Sequence, residues 1–170
     1  MAIRPTDHQD YRTRPSQGVP AQGLRAAAAA SRPRLVQPIG HISVRLPATR
    51  LAPAQARRQI RAVVDGWNVQ VDAETAVLLT SELVTNAVIH NAGDTVTLAL
   101  RCRHGRFRVD VHDSAAALPD PAAGTADLDL DTEDGRGLLL VDTLADEWGF
   151  YRTPSGKAVY FALRLQEQAD

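Results

Sequence analysis

Ser81-Glu82-Leu83-Val84-Thr85-Asn86-Ala87-Val88-Ile89-His90 is the stretch that decides the fold. Apolar residues recur at helical spacing from Val77 onward, and Asp72 stands where a helix N-cap belongs. The spacing predicts a helix from there to about His90, closed by the helix-stop run Asn91-Ala92-Gly93-Asp94. Glu82 and Asn86 are four apart, so both project from one helical face, with His90 one turn further on. An isolated carboxylate and carboxamide on an apolar helix are costly to bury without partners. The pair suits a hard cation held through the Asn86 oxygen, with Glu82 placed to accept a proton. It equally suits the solvated side of an amphipathic helix.

Upstream, His41–Leu46 reads as a strand ending at Pro47, and Ala52–Trp67 as a helix whose first turn tolerates Pro53. Downstream the period changes to two. Thr95–Cys102 and Arg106–Val111 alternate around His104-Gly105, a hairpin signal. Residues 114–134 read as a long loop, and a third helix runs from Gly135 to about Asp146. Trp148–Tyr151 and Ala158–Leu165 are strand-like and flank the turn Thr153-Pro154-Ser155-Gly156. This order predicts an α+β fold: a two-layer α/β sandwich whose mixed, mainly antiparallel sheet is covered on one face by helices.

Residues 1–38 hold five of the ten prolines and six arginines against two aspartates, with few large apolar side chains. They are expected to form a disordered or extended arm ahead of a domain at 39–167. The net charge of −1 gives no basic field for nucleic acid or an anionic membrane. No segment has the ~20 apolar residues of a membrane helix. The single cysteine, Cys102, excludes an internal disulfide and suits a reducing compartment, so a cytoplasmic protein is expected. Cys102 itself reads as a small strand residue. Lys157, the only lysine, follows a turn glycine and reads as solvent-facing.

Two further elements carry chemistry. Asp113 ends a strand and enters a small-residue loop, where a carboxylate can meet a planar donor such as an adenine amino group or simply cap a turn. Gly135-Arg136-Gly137-Leu138 opens a helix, where backbone N–H groups and the helix dipole favour an anion and Arg136 adds a charge-assisted contact. It is neither a Walker A loop nor a dinucleotide fingerprint. A flexible turn into an apolar helix has the same composition.

Taken in order and spacing, the set resembles the GHKL ATP-binding fold, and within it the bacterial anti-sigma regulatory serine/threonine kinases. Glu82-Leu83-Val84-Thr85-Asn86 through His90 resembles the N box. Asp113 stands in the first glycine box and Gly135-Arg136-Gly137-Leu138 in the second. Trp148-Gly149 and Gly156-Lys157-Ala158-Val159-Tyr160 resemble the closing hairpin. The likeness covers about 41–165. It implies that Asn86 ligates Mg²⁺, that Glu82 is the general base, and that Asp113 binds adenine. It further implies that Gly135, Arg136, Gly137 and Leu138 form the phosphate-side contacts of ATP, with 114–134 as the lid. Three features depart from the pattern: Ala115 replaces a glycine, Ala158 a common threonine, and the loop from Asp127 to Asp134 is unusually acidic for a segment beside phosphates and reads as a solvated lid. The implied partners are an anti-anti-sigma (STAS-type) protein, phosphorylated on serine or threonine, and a sigma factor that the chain sequesters; a homodimer is expected by analogy. The alternative is a nucleotide-responsive binding module without catalysis.

Overall fold

The computed structural model describes residues 14–15, 40–119 and 136–166. In chain order these form β1 (Arg14–Pro15), β2 (Gly40–Pro47), α1 (Ala52–Gly66) and α2 (Ala73–His90). They continue as β3 (Thr95–Arg103), β4 (Arg106–Asp113), α3 (Arg136–Leu144), β5 (Glu147–Thr153) and β6 (Gly156–Arg164). The sheet order is β1-β5-β6-β4-β3-β2, and every described pairing is antiparallel. The two-layer α+β arrangement is therefore as expected. The parallel component of a mixed sheet is not seen among the described strands, because each neighbour runs opposite to the last.

Local chemistry accounts for the boundaries. Asp72 caps α2, its Oδ1 accepting the N–H groups of Glu74 (3.1 Å) and Thr75 (3.3 Å). The Thr75 hydroxyl donates to its Oδ2 at 2.8 Å, and this bond first, then the backbone ones, holds its carboxyl below the usual range. Pro53 sits in the first turn of α1, where no intrahelical donor is lost. His104 and Gly105 both take positive φ (52° and 73°), the backbone that a two-residue β3–β4 hairpin demands.

The helices cover one sheet face through cross-strand rows of apolar side chains. Leu100, Val109 and Phe161 form one such row, and Leu98, Val111 and Val159 the next. Ile60 of α1 and Leu79, Leu83 and Val84 of α2 pack against them, all essentially inaccessible to water. Cys102 is a buried core residue, as expected, and burial pushes its thiol pKa up. One step beyond Val111 and Val159 the row changes character: the next cross-strand pair is Asp113 with Lys157.

Of the N-terminal arm only Arg14–Pro15 is described, as a two-residue edge strand beside Trp148 and Glu147. The rest of 1–39, the loop at 120–135 with Gly135, and residues 167–170 lie outside the described residues.

Candidate functional site

α2 presents Glu82 and Asn86 half-buried on one face, one turn apart, while Leu83, Val84 and Ala87 turn into the core. Against that face lies the first turn of α3. A methyl group built on Gly137 would come within 3.0 Å of Glu82 Oε2 and 3.1 Å of Asn86 Nδ2. The second glycine box thus rests directly on the two polar side chains of the N box, and Gly137 is glycine because nothing larger leaves both in place. Among the described residues neither Glu82 nor Asn86 has a hydrogen-bond partner. Two oxygen-bearing side chains with no side-chain hydrogen bond to a described residue, beside a helix start, can take a hard cation and an anion together.

Leu138 is half-buried against the core. Arg136 begins α3, and its side chain lies outside the described set, as does Gly135. α3 is fixed at its far end by Trp148, whose indole N–H donates to Asp142 Oδ1 at 2.8 Å.

Asp113 occupies the other end, where β4 leaves the sheet. It is buried, and its Oδ1 accepts the Ala115 N–H at 2.8 Å and the Lys157 ammonium at 3.0 Å. The Ala115 position therefore orients the carboxylate through its backbone. Lys157 corrects the sequence expectation: it is buried, not solvent-facing. Register is the cause, since β4–β6 pairing sets it opposite Asp113 on the helix-covered face. Gly156, at φ +154°, packs so closely on Asp113 and Ser114 that a Cβ would lie 2.6 Å from Ser114 Cα.

Asn91 joins the two ends. Its Oδ1 accepts the Ser114 N–H (3.1 Å) and hydroxyl (2.7 Å), while its Nδ2 donates to Gly93 and Thr95 carbonyls at 2.8 and 3.0 Å. Read from sequence as a helix stop, it also ties the end of α2 to the residue after Asp113. His90 is exposed at the end of α2.

The histidine kinase-like ATPase domain family matches residues 46–163, a span that contains every one of these described side chains. The chain belongs to that family. As a GHKL-type ATPase domain it binds ATP by family membership, and its α+β sandwich also has a solved counterpart. The RsbU and RsbW domains of Rv1364c from Mycobacterium tuberculosis superpose with a TM-score of 0.54 at 23% identity. That match covers 76% of this ATPase domain chain and 34% of the mycobacterial one, so the chain spans about a third of that structure's length. No curated protein matches the chain in sequence. Among the described residues no helix of this ATPase domain is long and apolar enough to cross a membrane.

Proposed function

We propose that the chain is a Mg²⁺·ATP-dependent protein kinase of the partner-switching type. It phosphorylates a serine or threonine on an anti-anti-sigma partner and, unphosphorylated partner being absent, sequesters a sigma factor. The observation that carries the reading is the seat of Gly137 on Glu82 and Asn86, which puts a helix start, a carboxylate and a carboxamide at one point.

In this reading Asn86 holds Mg²⁺ through its carboxamide oxygen and the α3 N-terminus receives phosphate oxygens. Bound Mg²⁺ supplies neutralisation of phosphate charge. Glu82 accepts the proton of the attacking hydroxyl as its oxygen bonds to the γ-phosphorus and ADP departs. Phosphoryl transfer asks chiefly for positioning and charge balance, which these groups provide. Asp113 takes the base. Phosphate added to the partner contributes about −1.5 to −2 of charge, enough to break a docked interface and release it.

Calorimetry with ATP, with and without Mg²⁺, tests the site on wild type, Asn86→Ala and Asp113→Ala. Mg²⁺-dependent binding that is lost in Asn86→Ala and weakened in Asp113→Ala is expected; absence of ATP binding by wild type would reject the reading. Transfer of labelled phosphate to an anti-anti-sigma protein, abolished in Glu82→Gln, separates the kinase from a module that binds nucleotide without catalysis.

A further inference from the structure

Lys157 is the only lysine among nineteen lysine and arginine side chains, and it is one of the few charged groups buried in the protein. Its ammonium sits 3.0 Å from Asp113 Oδ1, with side-chain exposures of 8% and 2% for the two residues. Stability alone does not call for such a pair, since a buried ion pair is often matched or bettered by apolar residues of similar volume. The position is also built: β4–β6 register aligns the two residues, Gly156 presses the turn onto the Asp113 backbone, and Ala115 N–H fixes the carboxylate. Among the described residues both hydrogen bonds that the Asp113 carboxylate accepts fall on Oδ1, and none falls on Oδ2. An ammonium has three donors, and among the described residues one is used.

Resting on the nucleotide-binding reading above, we propose that Lys157 is the second half of a base-reading pair. Asp113 Oδ2 accepts from the 6-amino group of adenine, and Lys157 Nζ donates to ring N1. Carboxylate and ammonium side by side offer an acceptor next to a donor, the complement of the adenine edge, where N6–H lies next to N1. Guanine presents the reverse order, a carbonyl at position 6 and an N–H at position 1. In a water-poor pocket an unmatched group is costly, so a site built to hydrogen-bond one edge rejects an analogue that lacks it.

The test is equilibrium binding of ATP and 1-deaza-ATP, in which N1 is replaced by C–H, to the full chain and to Lys157→Met. On wild type, 1-deaza-ATP is expected to bind about tenfold or more weakly, the size of a hydrogen bond to a charged group. On Lys157→Met the two nucleotides should bind alike, with ATP weakened to the level of the analogue. Equal affinity of wild type for both nucleotides, or undiminished discrimination by Lys157→Met, overturns the role of Lys157 while leaving ATP binding intact. No binding of ATP by wild type removes the nucleotide reading itself and this inference with it. Should Lys157→Met not fold, the wild-type comparison still decides.

Discussion

Ser114 donates both its backbone N–H and its hydroxyl to Asn91 Oδ1, at 3.1 and 2.7 Å. The same carboxamide holds the Gly93 and Thr95 carbonyls through Nδ2, so one side chain sets the end of α2, the start of β3 and the exit of β4. Asn91→Ala should cost about 1–2 kcal/mol, because the bonds are several but solvent-exposed. Its effect on ATP affinity should exceed that of an equally destabilising change elsewhere, since Asp113 is the neighbour of Ser114. Denaturant titration beside calorimetry checks this. Affinity that falls no further than in a stability-matched control would deny Asn91 a positioning role.

Gly137→Ala separates packing from function. The added methyl meets most closely the ends of two flexible side chains, Glu82 Oε2 at 3.0 Å and Asn86 Nδ2 at 3.1 Å, with Glu82 Cβ at 3.4 Å. Those ends can swing aside, and in the first turn of α3 alanine gains less than the ~1 kcal/mol of a helix interior, so thermal unfolding should be little changed. The displaced groups are the ones proposed for Mg²⁺ and the hydroxyl proton, so Mg²⁺·ATP affinity should drop about tenfold or more, roughly one charged hydrogen bond. A variant that binds like wild type would show that Glu82 and Asn86 need not hold their places.

The fold, and the placing of Glu82 and Asn86 on one helical face of the candidate site, were legible because they are local. The i, i+4 spacing of Glu82 and Asn86 and the Asp72 cap are written in adjacent turns of one helix, and the structure keeps them. Lys157 was misread because what buries it is not local: it meets Asp113 across 44 residues of chain, through a strand register that no turn glycine announces. Asp110 owes its burial to contacts that are equally non-local. Alternation places it with Arg108 and His112 on the sheet face opposite the apolar rows, where a carboxylate is expected to meet water. It is instead fully buried, because Arg108 grips it and Tyr151 and Tyr160 arrive from β5 and β6. The Arg14–Pro15 strand had no signal at all, since two residues have no period.

That second buried charge yields its own prediction. Arg108 binds Asp110 through Nε (2.9 Å) and Nη2 (2.6 Å) and lies 3.6 Å from the centre of the Tyr160 ring. Removing one partner of a buried pair leaves the other uncompensated. Asp110→Ala should therefore lose about 3 kcal/mol, whereas Arg108→Met combined with Asp110→Leu should recover much of it. Urea unfolding of the single and double variants checks this. A single variant within about 0.5 kcal/mol of wild type, the range of ordinary surface changes, would mean that the network carries no stability.

Tyr151 reports on the same network through pH. Its phenol donates to Asp110 Oδ1 at 3.0 Å, and its pKa is pushed up from 10.0 to about 12, first by burial and then by the adjacent carboxylate charge and the hydrogen bond. The folded state thus keeps the proton longer than the unfolded chain does. Where the folded state binds more protons, stability falls as pH rises. The contribution is complete below pH 10 and is lost as pH climbs through about 12. Tyrosinate absorbance of the wild type minus that of Tyr151→Phe should give a transition near pH 12, and the Phe variant should lose less stability between pH 10 and 12. Asp110→Asn should bring the transition down only part of the way, because burial is the larger cause. A wild-type transition at the ordinary phenol value would show that Tyr151 does not donate to a buried carboxylate.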